Sequence, residues 1–244
     1  MAFKLEALEI VEVVRPIQSG ATQPYLCQLA DERLYAVKGR AALNKGLIAE
    51  VVSGWLAQNL EIPVPFFALG NLPRPLLDSY EDQRLSTSIG SGTLFASLWK
   101  EPVEAMVMPL LQQMPSDTLA TIYAFDHWIK NGDRSLSERG GNPNLMVELD
   151  SNSLIAIDHN LAFSNSYRCS ELTLHACRGA WGKKRSNNVF ICQLCENMRR
   201  LTASLDEIFG QLPNEWVEDE NDFLTSIRST LYRVNQQAFW DELA

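Results

Sequence analysis

The sequence predicts an α+β protein with two lobes, a small β-rich N-terminal lobe that carries one helix and a mainly helical C-terminal lobe. Near the start of the chain, short runs rich in Val, Ile, Tyr and Leu alternate with turn residues, which is typical of strands. Beyond about Met114, the apolar residues recur at helical spacing. With 244 residues, 46% of them apolar, the chain can bury a sizeable core. We therefore expect an N-lobe over residues 1–111 and a C-lobe over residues 112–244, with a cleft between them.

Three strands are predicted before the first helix. Residues 8–14 and 25–29 form the first two, and residues 33–37 form the third, which ends on Lys38. The loop between the first two strands carries small side chains at Ser19, Gly20, Ala21 and Thr22. Backbone amides in such a loop can approach phosphate oxygens, and the lysine can supply a positive charge. An ordinary turn and a solvated strand end are the alternative interpretations.

A helix is predicted from Asn44 to Leu60, with Asn44 as its N-cap, because apolar residues fall there at helical spacing. Glu50 lies beside the apolar stripe of this helix. It either points inward, where a buried carboxylate needs a cation such as Lys38, or lies on the exposed flank. Residues 62–65, Ile-Pro-Val-Pro, then break the helix.

The segment that follows mixes loop and strand signals. Residues 73–91 carry Pro, Ser, Asp and Gly with little periodicity, which predicts a long loop. Order returns at residues 92–98, and residues 105–110 predict a buried strand that ends at a proline. Such an apolar connector, with Met108 and Leu110, could support an adenine ring, and simple core packing is the alternative.

The C-terminal half begins with an amphipathic helix. It starts at Ser116, its predicted N-cap, and stops at Asn131-Gly132, directly before Asp133. From residue 193 to the end, the period of the apolar residues again predicts helices.

Polar side chains flank a predicted β-hairpin between residues 145 and 157. Asn142 and Asn144 precede its first strand and Asp158 follows its second, so all three lie at the same end, with Asp133 nearby. A carboxylate, an amide and a second carboxylate in this order are suited to binding Mg²⁺ and an alcohol beside a nucleoside triphosphate.

Charge and cysteine content limit the class of protein. A formal net charge of -9, from 21 Lys and Arg against 30 Asp and Glu, argues against a nucleic-acid partner. The basic run at residues 182–185 is short and typical of a solvated loop. Five cysteines cannot all pair with one another, which predicts a reducing, cytoplasmic environment. Acidic residues interrupt the first apolar run, so we expect neither a signal peptide nor a membrane partner.

Five segments taken together resemble the HipA-like kinases, in particular the short single-chain members. They are Ala36-Val37-Lys38, Glu50 with the run Glu61-Ile62-Pro63-Val64-Pro65, Asn131-Gly132-Asp133-Arg134, Asn142-Pro143-Asn144-Leu145 and Ile157-Asp158-His159. The resemblance spans residues 8–163 and extends distantly to protein and phosphatidylinositol kinases. It implies a protein-kinase-like fold, ATP and Mg²⁺ as cofactors, and serine/threonine kinase activity.

The resemblance also implies roles for single residues. Lys38 would hold the α- and β-phosphates and pair with Glu50, Asp133 would orient or deprotonate the acceptor hydroxyl, and Asn142 and Asp158 would hold Mg²⁺. Residues 135–141 make the loop after the catalytic aspartate longer than in the kinase pattern. Asn142 is preferred as the metal ligand because it opens the Asn-Pro-Asn-Leu match, and Asn144 is the second choice. HipA-like kinases include toxins that phosphorylate translation components and work beside a small antitoxin. A protein substrate and a small companion or antitoxin protein are therefore the implied partners.

Other interpretations stay open from the sequence alone. The fold could serve as a pseudokinase or nucleotide-binding interaction module, or as a lipid kinase or nucleotidyltransferase. A zinc module is a further alternative, with ligands from the set Cys169, His175, Cys177, Cys192 and Cys195. His127 is predicted to be structural, and His159 to pack beside Asp158 or orient it.

Overall fold

The computed structural model describes residues 3–18, 20–137 and 140–243. Its strands are β1 (Ala7–Pro16), β2 (Tyr25–Leu29), β3 (Leu34–Lys38), β4 (Phe67–Leu72), β5 (Gly92–Leu98), β6 (Val103–Ala105), β7 (Leu145–Glu148) and β8 (Ser153–Ala156). Its α-helices are α1 (Leu43–Asn59), α2 (Arg74–Asp78), α3 (Gln83–Ser88), α4 (Met108–Leu111), α5 (Ser116–Trp128), α6 (Arg178–Lys184), α7 (Asn188–Ala203), α8 (Leu205–Phe209), α9 (Asn214–Val217), α10 (Asn221–Tyr232) and α11 (Gln237–Asp241). Short 3₁₀ turns cover Arg40–Ala42, Cys169–Leu174 and Arg233–Asn235.

The first five strands close into a barrel in the order β1-β2-β3-β5-β4. Its ladders are antiparallel except for β1 with β4, which is parallel. Side chains alternate between the two faces of each strand, so Tyr35 and Val37 of β3 are fully buried in the barrel. Lys38 therefore points to the opposite face of β3. The three strands predicted before the first helix correspond to β1, β2 and β3, and their bounds agree to within two residues at each end.

Helix α1 is enclosed on all sides, since every residue from Gly46 to Ala57 is buried. Such a helix shows little amphipathic contrast in its sequence, which is why periodicity alone left Glu50 ambiguous. The structure places Glu50 inward. The predicted N-cap was wrong: Ala42 occupies the N-cap position without a side-chain hydrogen bond, and the Asn44 amide instead donates to the carbonyl oxygen of Glu215 at 3.3 Å.

Three local predictions in the middle of the chain were wrong. Residues 73–91 are not a long loop but contain α2 and α3, and the Asp82 carboxylate caps α3 by accepting from Arg84 N–H at 2.9 Å. Helices of five or six residues are too short to show a period. Residues 105–110 do not form a strand, because β6 ends at Ala105 and α4 begins at Met108. Pro115 rather than Ser116 occupies the N-cap position of α5.

The second sheet joins β6 to the predicted hairpin, in the order β6-β7-β8. Leu145 pairs with Ala156, so the residue before β7 lies opposite the residue after β8. The Met106 N–H donates to the carbonyl oxygen of Leu145 at 2.9 Å, which ties the connector from the barrel to the start of the hairpin. The predicted division of the chain at residue 111 stays a prediction.

Helix α5 lies at the centre of the helical part. Its Trp128 indole donates to the carbonyl oxygen of Leu231 in α10 at 2.9 Å, and both partners are buried. The apolar core that surrounds α5 also includes α1 and the Phe67 and Phe95 rings of the barrel wall. This shared core fixes the barrel against the helices. Among the described residues, no helix is both long and apolar enough to span a bilayer.

Candidate active site

Three charged side chains from distant parts of the chain meet where the barrel faces α1 and the hairpin. Lys38 at the end of β3 places its ammonium 2.5 Å from Glu50 Oε1 and 2.7 Å from Asp158 Oδ1. The second oxygen of Glu50 accepts the backbone N–H of His159 at 3.1 Å. The lysine therefore bridges a helix on one side and the end of the hairpin on the other.

The charges of this cluster stabilise one another. Burial opposes the charge on Lys38, but attraction to Glu50 and Asp158 outweighs burial and raises the pKa of the ammonium. Burial by itself would raise the pKa of Asp158, but Lys38 outweighs burial and lowers the pKa of that carboxyl below its ordinary value. Burial raises the pKa of Glu50, opposed by Lys38 and by the His159 N–H. The Asp158 side chain keeps 24% exposure, so a ligand from solvent can reach it.

Asp133 is oriented by the two asparagines that the sequence singled out. Asn142 donates to Asp133 Oδ1 at 2.9 Å, and Asn144 donates to Asp133 Oδ2 at 3.1 Å and to its backbone oxygen at 2.6 Å. The Ile157 N–H donates to the Asn144 carbonyl oxygen at 3.0 Å, which links this group to the residue before Asp158. The predicted catalytic and metal residues therefore form one contiguous polar group.

A buried arginine supports this group from below. Arg134, fully enclosed, donates from Nε to Asp126 at 2.6 Å and from Nη1 to the carbonyl oxygens of Pro143 at 3.2 Å and Asn144 at 2.5 Å. Its Nη2 lies 3.1 Å from His159 Nε2. One planar guanidinium thus fixes α5, the loop before β7 and the segment after β8 relative to each other.

Asp126 is the anionic centre of this support. It is fully buried, and its two oxygens accept bonds from Asn131 at 2.9 Å, Arg134 at 2.6 Å and His175 at 2.9 Å. Burial would raise the pKa of Asp126, but Arg134 and His175 outweigh it and lower the pKa far below its usual range. Burial and the adjacent Arg134 lower the pKa of His159 to about 3, so this imidazole is neutral and accepts from the arginine. Of the two roles predicted for His159, packing beside Asp158 and orienting it, these contacts agree with packing.

This support is not predicted from the sequence. Asp126 falls within the predicted amphipathic helix, and His175 belongs to the alternative zinc set. One signal was available, because Asp126 lies one helical turn from Ile122 and Ile129, on the face that has to be buried. A carboxylate on that face requires partners.

The predicted phosphate loop lies at the same end of the sheet as Lys38. Pro16 pairs with Tyr25, and Tyr25 pairs with Val37, the residue before the lysine. Ser19 lies outside the described residues. In the remainder of the loop, Gly20 has a φ of 99°, Ala21 is exposed and Thr22 is buried. The Gly20 carbonyl oxygen accepts the Gln23 N–H at 3.2 Å, which closes a turn. Glycine adopts the positive φ of this turn without steric cost.

The predicted adenine-supporting residues are in α4 rather than in a strand. Met108 and Leu110 are partly buried and pack against the core, which leaves both the ligand role and the core role as predictions.

Among the described residues, one cavity lies at the Lys38 cluster and another lies in the helical part. The first, of about 20 Å³, enough for about one water, is lined by Glu50, Gly54, Phe67, Phe95 and Asp158 among others. The larger, of about 340 Å³, lies elsewhere, between the middle of α5 at Tyr123, helix α6 and the chain around Glu242.

The zinc set that the sequence raised is not brought together. His175 is bonded to Asp126, Cys177 is buried, and Cys192 is exposed on α7. Within the described part of the chain, the group close enough to share a metal ion is instead His127, Cys169 and Glu242. His127 is buried and stacked on Phe239 at 4.9 Å between ring centres, in agreement with its predicted structural place.

A β-barrel and a helical part meet at the cluster of Lys38, Glu50 and Asp158. A strand lysine paired with a helix glutamate beside an aspartate is the arrangement found in protein kinases, so the chain is kinase-like. The family model of the HipA-like kinases matches residues 10–243, and the chain belongs to this family. This confirms the resemblance inferred from the five segments.

One solved structure supports the kinase-like fold. The proinflammatory kinase CtkA of Helicobacter pylori superimposes with a TM-score of 0.58 at 10% identity, over 98% of both chains. A Golgi casein kinase with Mn/ADP bound gives a TM-score of 0.42 at 12% identity, over 96% of this chain and 74% of that one, which is too low to define a shared fold. A comparison with curated proteins found no significant match. The mixed α/β, kinase-like fold is thus shown.

Proposed function

We propose that the chain is an ATP- and Mg²⁺-dependent phosphotransferase that acts on serine or threonine hydroxyls of a protein. The observation that carries the proposal is the bridge from Lys38 to Glu50 and Asp158. A buried ammonium held by two carboxylates is a ready partner for phosphate oxygens. Membership of the kinase family supports the same chemistry.

The donor atoms fit a magnesium ion. Asp158 supplies a partly exposed carboxylate, and Asn142 and Asn144 supply amide oxygens, which are the ligands that Mg²⁺ prefers. When bound, Mg²⁺ would neutralise charge on the phosphate oxygens. Lys38 contacts Asp158, and Arg134 donates to the Asn144 carbonyl oxygen, so the chain itself positions these ligands.

The contacts favour Asn144 as the amide ligand over Asn142, which the sequence ranked first. Asn144 is half-buried, and its backbone oxygen accepts from both Arg134 and Ile157. Asn142 is exposed and has fewer contacts. A ligand that is already fixed loses less entropy when it binds a metal.

Asp133 acts as the base in this proposal. The two asparagines hold its carboxylate oxygens, so the group needs no reorientation to meet an incoming hydroxyl. The hydroxyl oxygen bonds to the γ-phosphorus as the bond from that phosphorus to the leaving ADP oxygen breaks. The hydroxyl proton passes to Asp133.

The nucleotide would lie between the barrel and the connector. The amides of residues 19–22 would contact its phosphates, and Met108 and Leu110 would contact its base. A protein acceptor and a small companion protein complete the proposal, with the cytoplasm as its compartment. Family membership and the position of the loop at the same end of the sheet as Lys38 support the nucleotide contacts.

The direct test incubates the purified chain with ATP labelled on the γ-phosphate, Mg²⁺ and a cell lysate. We expect label in the chain itself or in one acceptor protein. Asp133→Ala and Asp158→Ala should each reduce incorporation by at least about 100-fold. Asp150→Ala is the matched control, since Asp150 is exposed in the turn at the other end of the same hairpin.

The label position separates the alternatives. Transfer of label from the α-phosphate would identify a nucleotidyltransferase, and label in a lipid extract would identify a lipid kinase. ATP binding without transfer would identify a pseudokinase. The absence of both ATP binding and phosphate transfer would overturn the proposal.

A further inference from the structure

A second cluster of potential ligands lies in the helical part, apart from every residue assigned to phosphate transfer. His127 in the last turn of α5, Cys169 at the start of a 3₁₀ turn and Glu242 after α11 place one ligand atom each within 4.8 Å of one another. We propose that these three residues form a Zn²⁺ site. A thiolate, an imidazole and a carboxylate are a ligand set that suits zinc.

The buried imidazole supplies the independent observation. His127 is fully buried, yet its Nε2 makes no hydrogen bond of good geometry among the described residues, although Glu242 Oε2 lies 3.0 Å away. A buried polar atom without a hydrogen bond is costly. A metal ion at this position would bind the lone pair of His127 Nε2.

The orientation of the ring is already fixed. His127 Nδ1 lies 2.9 Å from the Tyr167 hydroxyl, and Phe239 stacks on the ring face. Histidines that bind metals have their second ring nitrogen held by such a partner, which selects the tautomer. Tyr167 and Phe239 therefore direct Nε2 toward the cluster.

Access and a fourth ligand come from the cavity of about 340 Å³. Cys169 and Glu242 both line it, so solvent can reach the cluster and supply a water. With bonds of about 2.0–2.3 Å, ligands of a tetrahedral zinc ion are roughly 3.3–3.6 Å apart. The His127 and Glu242 atoms, 3.0 Å apart, would separate by a few tenths of an ångström to reach that range, and a rotation of the exposed Cys169 side chain can bring its sulfur closer.

Arg233 contacts two members of the cluster. Its Nη1 lies 3.6 Å from Glu242 Oε2, while its Nη2 donates to the carbonyl oxygens of His127 at 2.8 Å and Trp128 at 3.2 Å. Because those carbonyls keep the guanidinium bonded, Glu242 can serve a metal without leaving the arginine unpaired. A neutral imidazole, a thiolate and a carboxylate then balance the charge of the zinc ion.

The test uses the full chain, freed of metal with a chelator and titrated with ZnCl₂ against a chromophoric competitor. We expect one Zn²⁺ per chain, with affinity about 10- to 100-fold weaker in Cys169→Ser and in Glu242→Gln. Both side chains are exposed enough for the variants to fold, which circular dichroism checks. Cys192→Ser, at an exposed cysteine on α7, should bind as the unaltered chain does.

Co²⁺ adds a spectroscopic readout that a merely structural role would not change. A thiolate-to-cobalt absorption band should appear in the unaltered chain and in Cys192→Ser, and disappear in Cys169→Ser. The proposal is overturned by the lack of stoichiometric Zn²⁺ binding, by a cobalt spectrum without the thiolate band, or by equal weakening in Cys192→Ser and Cys169→Ser.

Discussion

Arg134→Lys tests the proposal that one buried guanidinium holds the active site together. The substitution keeps the positive charge beside Asp126 but removes the planar fork that reaches Pro143, Asn144 and His159. Three hydrogen bonds are lost, at a net cost of about 1 kcal/mol each. We expect the free energy of unfolding to fall by about 3 kcal/mol. For a chain of this size that corresponds to a melting temperature lower by about 6–12 °C.

The same change should impair catalysis even where the protein is folded. Arg134 positions the Asn144 backbone, and Asn144 in turn orients Asp133. A displacement of about 1 Å at such a site can cost about 100-fold in rate, so kcat should fall by about 10- to 100-fold. The assays are urea denaturation, and phosphate transfer at a temperature well below the melting point of the variant.

Arg168→Lys is the matched control, because Arg168 also donates to three backbone oxygens but is exposed. It should change the free energy of unfolding by less than about 0.5 kcal/mol. If Arg134→Lys is equally silent in stability and in kcat, the supporting role of Arg134 is wrong.

Three further predictions concern neighbouring groups. Glu50→Gln leaves Lys38 with one carboxylate instead of two, and kcat/KM for ATP should fall by about 10- to 100-fold in steady-state assays. Asn144→Ala should reduce phosphate transfer by about 100-fold, but Asn142→Ala by less than about 10-fold. Acidification should destabilise the chelator-treated protein, because burial lowers the pKa of His127 and of His159 to about 3 in the folded state. Their stabilising contribution is present above the unfolded pKa of about 6.5 and is lost as pH falls toward 3, by about 2 kcal/mol for each histidine at pH 5.

For each of these predictions, one result would contradict the reasoning. Unchanged ATP kinetics in Glu50→Gln would remove the ion pair from the mechanism. A larger loss in Asn142→Ala than in Asn144→Ala would return the metal contact to Asn142. Equal free energies of unfolding at pH 7.5 and pH 5, measured in urea, would show that neither histidine is held neutral by burial.

Much of the local structure could be predicted from the sequence. Strand β3 ending on Lys38, helix α1 and the hairpin that separates Asn144 from Asp158 each follow from patterns a few residues long. These patterns are set by side-chain periods and turn residues, which operate over short distances along the chain. Where an element was too short to repeat its period, as in α2 and α3, the prediction failed.

The polar candidates were also visible, because carboxylates, amides and a lysine at strand ends are chemically informative by themselves. Their order along the chain matched a known family, and that match stands. The division of roles between Asn142 and Asn144 did not follow from spacing.

Only the tertiary structure decided how the candidates meet. Lys38 and Asp158 are 120 positions apart, and no pattern along the chain reports a 2.7 Å contact between them. The inward position of Glu50 depended on α1 being enclosed on every side, which erases the amphipathic signal. The ion pair between Asp126 and Arg134 could not be predicted from the sequence either. Burying two charges is favourable only when many hydrogen-bond partners surround them, and those partners come together only in the packed chain.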